Sequence, residues 1–117
     1  MAATYGAEPD VAVVRGTEDQ YADHHPGARD LGLLVEVSDT TLARDRGSKK
    51  QLYAADGVPV YWIVNLLENQ VEVYTDPTGP GQQVDYGRRQ DYGLSDDVPV
   101  LIDGREVGHI AVRDLLP

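Results

Sequence analysis

Residues 31–66 read LGLLVEVSDTTLARDRGSKKQLYAADGVPVYWIVNL, and three pieces of that stretch decide the fold. Leu31 to Ser38 is an apolar run of strand length whose two alternating faces are both hydrophobic, the pattern of a central strand covered on both sides. Val58 to Leu66 is a second such run. Between them, Asp39, Thr40 or Thr41 can cap a helix running from about Leu42 to Asp56, and Gly57 suits its left-handed C-terminal cap. Gly47 weakens that helix by roughly 1 kcal/mol relative to Ala, so some other contact must hold the turn.

Working outward, Pro9 to Arg15 reads as a short strand because β-branched residues follow the proline, and Gly16 to Asp30 has the polar chemistry of a loop. Gln70 to Thr75 alternates cleanly and joins the second buried strand through a turn at Glu68 and Asn69. Pro77 to Gln82 is a loop, and Gln83 to Arg89 a weak edge strand. VPVLIDGREVGHI (98–110) carries Asp103-Gly104, a hairpin signal, and AVRDLLP (111–117) closes with a short helix. Strands around an early helix, followed by hairpins, predict an α/β or α+β sandwich with a mixed sheet. No GxGxxG, Walker loop or GxSxG occurs, which removes the commonest nucleotide-binding and hydrolase readings.

A length of 117 residues allows one domain, residues 1–117, and 41% hydrophobic residues is ordinary globular composition. With no Phe, the core must come from Val, Leu and Ile, with seven Tyr and Trp62. The absence of Cys excludes disulfide scaffolds, thiolate zinc sites and cysteine nucleophiles. No apolar run approaches the roughly 20 residues that span a bilayer, and MAATYGAEPD is no signal peptide, so a soluble, cytoplasmic protein with no membrane contact is expected. A net charge of −10 argues against broad, salt-driven nucleic-acid binding, yet Arg44, Arg46, Lys49 and Lys50 fall within seven positions and permit a local basic patch.

Glu36 is the first anomaly, a carboxylate between Val35 and Val37 in the most apolar strand. Strand parity puts Leu34, Glu36 and Ser38 on one face, where Glu36 either needs a cation, a dense hydrogen-bond set or a wet cleft, or faces solvent at a strand end. Asp10 shares a face with Ala12 and Val14 and is either a turn residue or a second site carboxylate. Asp45 and Lys49, four apart on a helix, are either a surface pair contributing roughly 0.3–0.5 kcal/mol or a lysine delivered to a carboxylate cluster. Two carboxylates on adjacent strands with a backbone carbonyl would suit a hard cation such as Mg²⁺, and a nearby lysine would offset phosphate charge. Adjacent His24 and His25 rarely share one zinc ion with good geometry, and His109 reads as a surface residue. Of Tyr61 and Trp62, alternation expects one to be core.

Read together, these segments resemble the PD-(D/E)XK nuclease superfamily, and more closely its restriction-endonuclease-like Uma-two branch. Pro9-Asp10 matches the family's PD at the start of a core strand. Leu33 to Leu66 matches its longest signature: Glu36-Val37, then Asp45-Arg46-Gly47 with Lys49, Tyr53-Ala54, and Tyr61-Trp62-Ile63-Val64. Val71 to Pro117, with VEVYTDP and GHIAVRDLLP, also fits. The resemblance implies a mixed sheet flanked by helices and a divalent metal, Mg²⁺ or Mn²⁺, held by Asp10, Glu36 and the Val37 carbonyl. In the usual superfamily pattern the lysine lies two residues after the acidic residue; here that position is Ser38, and Lys49 matches a lysine supplied from the following helix. Asp45 matches a further motif position.

The expected activity is metal-dependent endonucleolytic hydrolysis of DNA, with Arg44, Arg46 and Lys50 meeting the phosphate backbone. Relatives carry a longer region before the PD strand, whereas here eight residues precede Pro9. A shortened domain would expose an edge or apolar face, so a homodimer is expected. The rival expectation is a non-catalytic remnant of the same fold acting as a dimeric interaction module.

Overall fold

A computed structural model describes residues 10–14 and 31–117. Five strands form one sheet in chain order: β1 (Val11–Val14), β2 (Leu31–Ser38), β3 (Val60–Asn65), β4 (Gln70–Pro77) and β5 (Tyr86–Tyr92). The pairings are antiparallel except β2 with β3, which is parallel, so the sheet is mixed as expected. That parallel pair requires a crossover. It is made by α1 (Leu42–Arg46) and α2 (Ser48–Ala55), which run over one face. The other face is covered by a ribbon, β6 (Asp97–Ile102) with β7 (Arg105–Ala111), and by α3 (Val112–Leu115). His24, His25 and the expected Gly16–Asp30 loop lie outside the described residues.

Covering both faces explains the two apolar strands. Leu34, Tyr61, Ile63, Tyr74 and Tyr86 pack with Leu42, Tyr53 and Ala54 beneath the helices. Leu33, Val35, Trp62, Val64, Val71 and Val73 pack with Val98 and Val112 on the opposite side. Tyr61 and Trp62 are therefore both core, correcting the expectation of one: alternation sends them to opposite faces, and each face is covered where they lie. Trp62 Nε1 is buried without a hydrogen-bond partner among the described residues. Four tyrosines do the work phenylalanine does elsewhere. Tyr53 meets Tyr61 edge to face at 5.0 Å, and Tyr61 stacks on Tyr74 and Tyr86 at 5.9 and 6.1 Å.

The expected single helix is two helices broken at Gly47. A Cβ at Gly47 would sit 3.0 Å from the Ala43 carbonyl oxygen, a close approach that a larger residue would have to relieve by a shift of a few tenths of an ångström. Thr41 is the N-cap residue of α1 but makes no capping bond; its hydroxyl is hydrogen-bonded to the Asp45 carboxylate at 2.9 Å instead. Gly57 has the expected left-handed backbone, φ 74°. Asp103 and Gly104 both have positive φ, 53° and 77°, the requirement of a two-residue type I′ hairpin. The weak edge strand lies later than expected, at Tyr86–Tyr92, and its exposed Arg88, Arg89, Gln90 and Asp91 give the sheet edge a charged border.

Candidate functional site

The parallel register aligns Glu36 of β2 with Ile63 of β3, and Ile63 faces Glu72 of β4. Two carboxylates thus occupy one row on the helix-covered face, one on each side of Ile63. Both are buried, Glu36 at 2% and Glu72 at 0% exposure. Burying an ionised carboxylate is strongly unfavourable unless it is paired and hydrogen-bonded, and each has found its partners.

Glu36 is ringed. Lys49 Nζ donates to its Oε2 at 2.6 Å and the Tyr53 hydroxyl to the same oxygen at 3.2 Å. The Asp10 backbone N–H donates to Oε1 at 3.1 Å. Asp10 is interlocked with the same strand, since its Oδ2 accepts the Val37 N–H at 2.6 Å. Antiparallel pairing of Val11 with Val35 places the residue before β1 beside Glu36, which is why the backbone can make this exchange. The bond to Val37 N–H also places Asp10 beside the strand segment that bears the Val37 carbonyl. Asp10 itself is exposed, so the pair has one dry and one wet carboxylate.

The helices complete the cluster. Asp45, 1% exposed, accepts hydrogen bonds from Ser38 Oγ and Thr41 Oγ1 at its Oδ2, while Lys49 Nζ lies 3.5 Å from its Oδ1. Ser38 follows Glu36 by two residues on the same strand, and its hydroxyl holds the helix carboxylate that faces Lys49. The Tyr61 hydroxyl donates to the Asp45 backbone carbonyl at 3.0 Å. Burial, reinforced by the Asp45 and Glu36 charges, pushes the Tyr61 phenol far up, so it stays protonated and remains a donor.

The fold therefore brings together Asp10, Glu36, the Val37 backbone, Asp45 and Lys49. It sends the other three expected residues elsewhere. Arg46 runs to Glu72, with Nε at 3.0 Å from Oε1 and a terminal nitrogen on Oε2, and its second bond reaches Glu68 at 3.1 Å. Lys50 pairs with Asp85 at 2.9 Å and lies 5.0 Å over the Tyr74 ring. Arg44 is exposed on α1.

Glu72 was not singled out by sequence reading. Asn65 Nδ2, Gln70 Nε2 and the Tyr74 hydroxyl donate to it at 2.9, 3.2 and 2.6 Å, in addition to Arg46. Burial by itself raises this carboxyl, but the Arg46, Tyr74, Asn65 and Gln70 hydrogen bonds together outweigh it and bring the pKa down to about 2. A signal was present: Val71-Glu72-Val73 repeats the Val35-Glu36-Val37 pattern. Its clean alternation reads as a solvent face only while the covering helices are unknown.

The donor set at Asp10 and Glu36 suits a hard cation, being carboxylate oxygen with no sulfur or imidazole. Among the described residues no three His, Cys, Asp or Glu side chains gather as a metal site. Magnesium needs no such cage: it is commonly held by one or two carboxylates with water and substrate phosphate. The residues present fit that mode.

Among the described residues no helix is long and apolar enough to cross a membrane. No curated protein matches the chain. A family model does match, over residues 3–104: Uma2, described as "Putative restriction endonuclease". The match takes in the PD strand, both buried strands and the helix pair, and the mixed five-stranded sheet with its short helix pair agrees with a restriction-endonuclease-like core. On that match, covering most of the sequence, the chain belongs to the Uma2 family of restriction-endonuclease-like proteins.

Proposed function

We propose that this chain is a divalent-metal-dependent endonuclease that hydrolyses DNA phosphodiester bonds. The observation that carries the reading is Glu36, a carboxylate buried in a central strand, interlocked with Asp10 and touched by Lys49 at 2.6 Å. A structural ion pair needs no second carboxylate at its wet edge, whereas a phosphodiester site needs both an oxygen donor set and a cation facing it.

In this reading Asp10, Glu36 and the Val37 carbonyl hold Mg²⁺ or Mn²⁺, which when bound supplies an acidified water and stabilises charge developing on the phosphate. Lys49 lies beside that carboxylate pair, where its ammonium orients the attacking water and offsets phosphate charge. Asp45, fixed by Ser38 and Thr41, holds Lys49 in place from its other side. Arg44, exposed on α1, meets the DNA backbone, while Arg46 and Lys50 are committed to carboxylates and contribute less. A second copy belongs to the same proposal: β7 is exposed along nearly its whole length and carries Val107 and Ile110, and open strand edges of this kind join sheets.

One observation favours the non-catalytic alternative. Three of the four cations in the run 44–50 are already paired with carboxylates in a chain of net charge −10. Cleavage of supercoiled plasmid and single-stranded DNA with Mg²⁺ or Mn²⁺, run beside a folded Glu36→Ala variant, separates the two. Cleavage by the wild type alone supports the nuclease. Equal cleavage by the variant removes this site, and none by either favours the interaction module.

A further inference from the structure

α1 has five residues and α2 eight, both well below the roughly 12–15 at which an isolated helix becomes marginally stable in water. Neither has a side-chain N-cap bond. Their orientation, and with it the position of Lys49, must be set by contacts to the sheet. Asp45 and Lys49 cannot supply that independently, since they are members of the site being positioned. The strongest ionic anchor outside it is Arg46 on Glu72.

The geometry is that of two pins on one hinge. Glu36 and Glu72 flank Ile63 in one row of the sheet. Arg46 ends α1 and Lys49 lies in the first turn of α2, with the Gly47 break between them. Arg46 reaches the carboxylate on one side of Ile63 and Lys49 the carboxylate on the other. Glu72 is a rigid receptor, because Asn65, Gln70 and Tyr74 hold it from β3 and β4 themselves. Asn65 in turn accepts the Leu67 and Glu68 N–H groups at 3.0 Å, tying the β3–β4 turn to the same point. A guanidinium held on two carboxylate oxygens fixes direction as well as distance, which a single contact cannot.

We infer that the Arg46–Glu72 pair is a positioning device: it sets the bend at Gly47 and thereby delivers Lys49 onto Glu36. Its consequence for cleavage rests on the nuclease reading above; its effect on Lys49 does not.

The test uses the full chain labelled with ¹⁵N-lysine, the Lys49 ammonium resonance being assigned by its loss in Lys49→Arg. Arg46→Lys, Glu72→Gln and the double variant Arg46→Met/Glu72→Met are compared with wild type. The double variant removes both charges, so that neither is left buried alone. Its far-ultraviolet circular dichroism is checked first, and if the loss of the acceptor for Asn65, Gln70 and Tyr74 unfolds it, Arg46→Met/Glu72→Gln, which keeps an acceptor oxygen, takes its place. The expected result is at least about tenfold faster proton exchange at Lys49 in the double variant, with an intermediate effect in Arg46→Lys, since lysine keeps the charge but not the two-point geometry. Mn²⁺ affinity should stay within about threefold while the cleavage rate falls by up to about 10²-fold, the loss expected from misplacing a reacting group by an ångström. A folded double variant with an unchanged Lys49 resonance overturns the inference, whatever its cleavage rate. A wild type that cuts no DNA, but whose Lys49 resonance responds as expected, sinks the nuclease reading and leaves the positioning pair standing.

Discussion

Acidification should erode the stability that Glu72 contributes to the sheet, even though in the folded protein this carboxylate keeps its charge to a lower pH than ordinary surface carboxylates do. The ordinary pKa of 4.5 falls to about 2 in the folded protein, because four side chains donate to the ionised carboxylate and outweigh its burial. A folded-state value below the unfolded one means that the unfolded chain binds the proton first. The stabilisation is therefore fully present above about pH 4.5 and disappears as the pH falls towards 2. At 1.36 kcal/mol per pH unit the full linkage is about 3 kcal/mol, of which about 2 kcal/mol is lost between pH 7 and pH 3. Glu72 has no exposed surface, so no discount for solvent screening applies. The assay is urea unfolding of wild type and Glu72→Gln at intervals from pH 7 to pH 3. The neutral variant lacks this linkage, so its stability should fall by about 2 kcal/mol less over that range than that of wild type. Parallel curves for the two proteins would refute the argument, since every other titrating group is shared.

Two further substitutions separate competing physical effects. Gly47→Ala raises helix propensity by roughly 1 kcal/mol, but its Cβ would press on the Ala43 carbonyl at 3.0 Å; we expect net destabilisation in thermal melts, and a stabilised variant would show that the break at Gly47 is incidental. Lys49→Ala strips the cation from a carboxylate that is 2% exposed and should cost about 3 kcal/mol, most of it recovered in Lys49→Ala/Glu36→Gln because a neutral amide no longer needs the charge; additive losses in that cycle would mean the two residues are not coupled.

Much of the architecture is written in local pattern. The bounds of β2, from Leu31 to Ser38, follow from an apolar run between polar segments, and the Asp103-Gly104 turn from the scarcity of residue pairs that accept two positive φ angles. Glu36 stood out because a charge in an apolar strand demands an explanation whatever surrounds it. Gly47 was legible as a weak point of the helix, though not as the hinge between two helices, since only the approach to the Ala43 carbonyl reveals what glycine permits there.

Partnership was not legible, because it depends on which side chains converge from distant parts of the chain. Arg46 and Lys49 lie three residues apart in one basic run, yet the sheet register sends one to Glu72 and the other to Glu36. Spacing sees four cations within seven positions and reads a patch; the fold divides three of them among Glu72, Glu36 and Asp85 and leaves Arg44 exposed. The same holds for Tyr61 and Trp62, whose common burial requires a cover on each face of the sheet. Residue type and alternation determine which groups cannot tolerate water alone, and they are properties of a few neighbouring residues. Which group answers each of them is set by strand register and helix placement, and so belongs to the tertiary structure.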